Sequence, residues 1–284
     1  MISLDAATVL LQWAVGGLLF LWVTTRRRLV GIGYGWLLRG TFAVMAAVAF
    51  AAGRFGNPVP VRDAACIGVA MSALAATAVS IKRRKAGVAG QRETEERRSA
   101  RVAAATGIDR ATVTRDLEAP EFPPGLDLAA PVIGLVGLVA GALAADGPAA
   151  LSLLRTLVGA AFLGSVTDAM LLGHWYLVQP GLGRGPINEL NRWLQYLWPF
   201  EVLALLIPTG MISVLSGRID DGYGGILGWF WVACAVTTIG LSFVTTAALK
   251  EKAYSAVMAA TGLLYLAILT AFGTDLVARL VLAT

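Results

Sequence analysis

Charge is what this sequence has least of. Only 14% of its 284 residues are Asp, Glu, Lys or Arg, against about 25% in soluble domains. Hydrophobic residues make up 57% and the mean hydropathy is +0.72. Apolar runs of about 20 residues recur along the chain, so a soluble globular domain is excluded and bilayer-crossing helices are expected. Histidine is almost missing, since His174 stands alone. A bis-histidine haem within this chain is therefore excluded. A His174–Met170 pair on one helix cannot bracket a haem from both faces, which leaves only a single-ligand haem or ligation shared with a partner. A zinc or di-iron centre lacks the donors it needs. Cys66 and Cys234 both fall in apolar runs without CxxC or metal spacing, so they read as small core residues. The glycines of GIGYGW (Gly31, Gly33, Gly35) lack the preceding strand, the third glycine and the distant acid of a dinucleotide fingerprint. They read instead as a small-residue packing face, as do Gly137 and Gly141. No basic segment precedes the first apolar run, so that run is expected to remain as a membrane helix. No DxxxD or histidine-rich set is present, and no self-contained catalytic motif marks the chain as an enzyme.

What is present is a series of helix candidates, at about residues 7–25, 29–52, 62–82, 128–146, 149–178, 190–216, 224–249 and 253–282. Breakers separate them: GRFGNPVP, Asp146-Gly147-Pro148, Pro180-Gly181 and GRIDDGYGG. The expected fold class is all-α, a polytopic helical membrane bundle of about eight transmembrane helices. Residues 1–82 form a three-helix membrane segment and 128–284 a five-helix one. Between them, 83–127 is a loop with a short surface helix over about 90–105 and a tether stiffened by Pro120, Pro123 and Pro124. Alternating the helices gathers 17 of the 23 Lys and Arg on one side: Arg26 to Arg28, the ten in 82–115, and Arg184, Arg192, Lys250 and Lys252. By the positive-inside rule that side is cytoplasmic and both termini face outward. The expected location is the plasma (inner) membrane. The sequence pI near 9.5 does not signal nucleic acid, because the cations sit in helix-flanking loops. Expected partners are the lipid bilayer and, through 83–127, a cytoplasmic partner or other membrane subunits.

Ionisable groups deep in a membrane helix are costly and mark functional sites. Three stand out: Arg39 in the second helix, Asp168 in the fifth and Glu201 in the sixth. Counting about 1.5 Å per residue from each predicted helix centre puts all three at one level just inside the midplane. Two acids beside one arginine leave an excess negative charge, so one acid becomes a candidate proton carrier or the anchor of a cationic or hydroxylated ligand. The alternative is an Arg39–acid pair that only locks helix packing. Pro199 and Pro208 bracket Glu201 and are expected to kink its helix and free a carbonyl near the acid.

The stretch GHWYLVQ carries His174, Trp175, Tyr176 and Gln179. It reads either as an aromatic girdle at the inner interface or as the mouth of a pocket in which His174 carries a proton. The link that follows offers Asn188 and Arg192 as further candidates, able to meet an anionic headgroup or a quinone carbonyl. The functional expectation is an integral membrane subunit or accessory factor of a proton- or quinone-linked electron-transfer complex. The alternatives are a small proton-coupled secondary transporter and a structural or assembly protein without a site. Quinone is the one cofactor the pattern invites.

Overall fold

A computed structural model describes residues 5–107, 115–116, 118–179, 181–207 and 210–283, without the side chain of residue 105. Among them all regular structure is helical. The helices are α1 (Ala6–Thr25), α2 (Ile32–Phe55), α3 (Pro60–Lys82), α4 (Ala89–Thr106), α5 (Ala129–Ala144), α6 (Ala149–Val178), α7 (Gly185–Leu206), α8 (Gly210–Leu215), α9 (Ile226–Ala248) and α10 (Tyr254–Leu282). A 3₁₀ turn over Pro124–Leu128 leads into α5. Among the described residues seven helices are long and apolar enough to cross a bilayer: α1, α2, α3, α5 with its 3₁₀ turn, α6, α9 and α10. The protein is a multi-pass helical membrane bundle.

α7 lies outside that apolar set because its 22 residues include Glu189, Arg192 and Glu201. At about 1.5 Å per residue it is nonetheless about 33 Å long, enough for a hydrocarbon core of about 30 Å. Its first turn is tied by Glu189 to Arg26 and Arg27, beyond the C-terminal end of α1. At its other end, the carbonyls of Ala204 and Ile207 accept hydrogen bonds from Arg155, near the start of α6. α7 thus runs the length of the bundle. The expected helix 190–216 is two pieces, α7 and the six-residue α8. Pro199 lies inside α7 without ending it. Pro180 and Pro208, the other expected breakers, lie outside the described residues.

Two ends of the bundle can be told apart by what meets there. At one end Arg28 and Arg92 both pair with Glu121. There too the Gly31 amide donates to Gln179, and Arg184 donates to the carbonyls of Leu249, Glu251 and Ala253. This is the basic end. It gathers Arg26 to Arg28, Arg92, Glu121, Gln179, Arg184 and the link 249–253. At the opposite end Asp5 pairs with Arg62 and the start of α1 meets the end of α10 through Gln12 and Arg279. α4 spans Ala89–Thr106, where the sequence leads one to expect a surface helix, and its first turn is held by a bond from the Gly90 amide to the Arg28 carbonyl.

Close helix approach sets the centre of the bundle. A Cβ on Gly16 would fall 1.8 Å from the carbonyl oxygen of Ala160, and one on Gly164 would fall 2.2 Å from the Gly16 backbone. α1 and α6 therefore cross backbone to backbone, as small residues permit in a membrane. Gly137 and Gly141 on α5 give the same access to Ala65 of α3 and Thr8 of α1. Tyr34, Leu38, Phe42, Ala169, Leu172 and Tyr176 fill the core around the crossing.

Candidate functional site

Arg39 does not reach Asp168 or Glu201. Its Nε and Nη2 donate to the two carboxylate oxygens of Asp127 at 2.7 and 2.9 Å, a two-pronged pair with 3% and 1% side-chain exposure. Thr25 donates to the same carboxylate at 2.9 Å, and Phe122 covers the guanidinium, 4.4 Å from its ring centre. Gly35 leaves the room, since a Cβ there would sit 2.8 Å from Nη1. The polar tether thus folds back against α2 and supplies the partner. Arg39 is a clamp for the 83–127 segment. Its Nη1 has no protein partner among the described residues, and Arg39 is one of the residues that line a cavity of about 30 Å³ at the basic end.

Asp168 and Glu201 do not share a level either. α7 ends at Leu206, so Glu201 is displaced toward the opposite end of its helix. Asp168 is displaced toward the basic end of α6. Counting residues from the two helix centres separates them by about 15 Å along the bundle axis. A helix reaching 216 would centre near Glu201, but the end of α7 at Leu206 moves that centre by about two turns.

Glu201 instead belongs to a cluster near the opposite end. Arg279 of α10 donates to Asp275 at 2.8 Å and to the side-chain oxygen of Gln12, on α1, at 2.5 Å. Arg155 of α6 holds the carbonyls of Ala204 and Ile207 at 2.8 and 3.1 Å. Glu201 lies within electrostatic reach of Asp275, Arg279 and Arg155. All five side chains are buried, with residue exposures of 0–3%. Two acids face two arginines, so the formal charges balance. Hydrogen bonding does not: both oxygens of Glu201, Oδ1 of Asp275 and Nε2 of Gln12 have no partner among the described residues. Gly159 makes room here, because a Cβ on it would fall 2.2 Å from Gln12 Nε2 and 3.2 Å from Asp275 Oδ1.

Buried polar groups are nearly always paired. Glu201 and Asp275 lie close enough to hydrogen-bond to each other, which two ionised carboxylates cannot do without a proton between them, so the unpaired oxygens mark a place that can hold one. Asp168 is a second such group. It is 0% exposed and neither carboxylate oxygen has a partner among the described residues. Its backbone carbonyl accepts from the Tyr34 hydroxyl at 3.3 Å, and next to it Thr167 accepts from the Trp13 indole.

The remaining candidates have local duties. His174 is exposed on the outer face of α6 and its Nδ1 meets only the Met170 carbonyl, at 3.2 Å. Trp175 donates to Gln179 at 3.1 Å. Gln179 ties α6 to the start of α2 through Gly31 and Leu29. Tyr176 closes the link after α6 by donating to the Gly183 carbonyl at 2.6 Å. Asn188 and Arg192 each donate to the carbonyl four residues earlier. No group of three or more metal-ligating side chains occurs among the described residues.

Sequence reading missed Gln12, Arg155, Asp275 and Arg279 as members of one site. In the sequence Arg155 looks like a flanking cation, and Asp275 with Arg279 like an i,i+4 pair that satisfies itself. A usable signal existed: Gln12 and Arg155 each stand six residues past a helix start, about 9 Å deep, and Asp275 and Arg279 occupy the last two turns of a helix ending at the same side. Comparison with protein-family models, with curated proteins and with solved structures finds no match.

Proposed function

We propose that this membrane protein handles protons, and that the cluster of Gln12, Arg155, Glu201, Asp275 and Arg279 is where it binds and releases one. The observation that supports the reading is the set of unpaired carboxylate oxygens on Glu201 and Asp275, buried beside two arginines. Adding or removing one proton there changes the net charge by one in a medium where charge is costly. Such a step must be matched by movement of a second charge or of the helices, which is the basis of coupling. Asp168, about 15 Å nearer the basic end, is a second station on the same path. The setting we favour is a membrane subunit or accessory factor of a proton- or quinone-linked complex in the plasma membrane, with the basic end cytoplasmic. The wide apolar faces that α3, α5 and α9 turn outward suit lipid and neighbouring membrane subunits alike.

The test is proton uptake by the purified chain in liposomes, read with an entrapped pH dye, for the wild type and for Glu201→Gln and Asp168→Asn. Isolation in mild detergent with identification of co-purifying subunits and quinone runs beside it. The reading expects both variants to fold and to lose proton movement, alone or in the isolated complex. Full activity in both folded variants refutes it. Substrate-driven proton flux by the chain alone would favour the transporter instead.

A further inference from the structure

A groove of about 290 Å³ opens between α5 and α6, over α1. Along α5 it runs from Leu128 to Leu138, about 15 Å at about 1.5 Å per residue. Its floor is the helix crossing at the centre of the bundle, since Gly16 of α1 and Ala160 of α6 both line it. Leu19 of α1 and Leu157 and Ala161 of α6 belong to its walls. The flank on which it opens faces lipid. Val132 and Leu135 on the α5 rim are 62% and 46% exposed.

Every residue that lines the groove is Val, Leu, Ala, Gly or Pro, so no side chain there offers a hydrogen bond. Water finds no partner in it, and a headgroup, a quinone ring or a peptide would bury its polar atoms unpaired. An apolar cavity of about 150 Å³ takes one benzene, six carbons. The space of about 290 Å³ therefore takes roughly a dozen carbons. An extended chain advances about 1.2 Å per bond, so a dozen carbons in line cover about 13 Å, close to the length of the groove. A prenyl tail that long carries about three further carbons as methyl branches and overfills the space. A membrane helix is about 10 Å across, and a piece of the same length would occupy about 1,200 Å³, four times the room there is. Volume, length and polarity together fit one unbranched hydrocarbon chain. The face of α1 that carries Val15 and Leu19 continues at helical spacing to Trp22 and Arg26, whose guanidinium lies 5.2 Å from the centre of the Trp22 ring. Tryptophan at the end of a membrane helix marks the headgroup level, so a chain lying in the groove emerges among the headgroups at the basic end.

We infer that this groove seats one acyl chain of a phospholipid from the basic-end leaflet. The chain lies along α5, across the α1–α6 crossing, and fills the space between α5 and α6. Lipid tails are as apolar as the groove walls, so nothing is gained by taking the chain out of water. The gain is in close contact and in leaving no void. Binding is therefore set by the room in the groove.

The full chain, purified and delipidated in mild detergent, is titrated with dioleoyl phosphatidylethanolamine, and bound lipid is counted by native mass spectrometry. One phospholipid should bind at least about tenfold more tightly than the next. Ala161→Phe puts a ring into the groove from α6, and Leu19→Phe adds bulk from α1. Each should weaken that first binding at least about tenfold, because the chain and the added side chain compete for one space. Val136→Phe adds a ring on the exposed surface of α5, outside the groove, and should leave the first binding unchanged. Titration of the wild type without a distinct first molecule overturns the assignment, and so do equal effects of Ala161→Phe and Val136→Phe in folded protein. Ubiquinone-10 should fail to displace the bound phospholipid; displacement at equal concentration would make the groove a prenyl site and refute an acyl seat. The same spectra give the oligomeric state, and a dimer that Ala161→Phe dissociates would assign the groove to a second copy of the chain instead.

Discussion

The clamp between Arg39 and Asp127 can be tested as a physical unit. Asp127→Asn keeps the shape of the side chain and removes its charge, leaving the Arg39 guanidinium buried without a counter-ion. Breaking one side of a buried ion pair costs about 3–5 kcal/mol, because the remaining charge is uncompensated. The 3% and 1% exposure of the two side chains puts this pair in that class rather than among surface pairs, worth about 0–1 kcal/mol. Replacing both partners by apolar residues, Arg39→Met with Asp127→Leu, removes the unpaired charge as well, so the double variant should lie near wild type or above it. Denaturation in mixed detergent micelles, followed by tryptophan fluorescence, gives the free energies; Trp36, bonded to Ser80 at the same end, reports locally. The expected coupling between the two sites exceeds about 2 kcal/mol. If Asp127→Asn stays within about 1 kcal/mol of wild type, or the double variant simply sums the losses of Asp127→Leu and Arg39→Met, the tether is not held by this pair and the argument collapses.

Asp168→Leu removes two unpaired buried oxygens, so stability should rise by about 1–3 kcal/mol while proton movement is lost; a drop in stability would show that Asp168 has a structural partner. Gly16→Ala should cost at least about 1–3 kcal/mol by overpacking, whereas Gly40→Ala, with open space around its Cβ, should stabilise α2 by up to about 1 kcal/mol; equal effects in a side-by-side unfolding comparison would remove the α1–α6 crossing from the account. Asp221 lies in the loop before α9, where backbone N–H groups of Gly225, Tyr223, Leu227 and Gly228 hold its carboxyl below the usual range. A depressed folded-state value means that its contribution is present above the unfolded value of about 3.9 and is lost as the pH falls from there through the folded one. Asp221→Asn should therefore flatten the acid limb of thermal stability below about pH 4 and change little at pH 7, which a melting series over pH 3–7 checks.

How far the sequence reaches depends on which interaction sets the feature. Helix existence is set locally, by apolar runs longer than the bilayer is thick, and so α1, α2, α3, α6, α9 and α10 can be read off the chain to within a few residues. The end of α7 is set by a competition that composition does not resolve. Pro199 and Pro208 are equivalent in a sequence, yet α7 continues through the first. It ends at Leu206, where Arg155 from another helix captures the Ala204 and Ile207 carbonyls. The end of α7 at Leu206 is thus bound to a residue about fifty positions away, and a depth for Glu201 counted from the sequence inherits that error.

The same reasoning explains why the acids were legible and their partners were not. An acid inside an apolar run is conspicuous whatever surrounds it, so Asp168 and Glu201 can be singled out from one sequence. Its counter-charge need not be conspicuous. Arg155, six residues into α6, looks like a flanking cation that would reach for water, and is instead buried at 3% exposure. Asp127 looks like the last polar residue of a tether, and is instead the partner of Arg39. Both assignments follow from tertiary packing: a long guanidinium reaches back about a turn and a half from its Cα, so helix depth alone does not place its charge. With Arg39 neutralised at the basic end, Glu201 cannot depend on it. Arg155 and Arg279 take that role, and any proton that enters the Glu201–Asp275 pair does so under two arginines fixed to the backbone of α7 and to Gln12 of α1. On the proposed reading, protonation at this place would be linked to the end of α7 and to the α1–α10 contact, because Arg155 and Arg279 bond there.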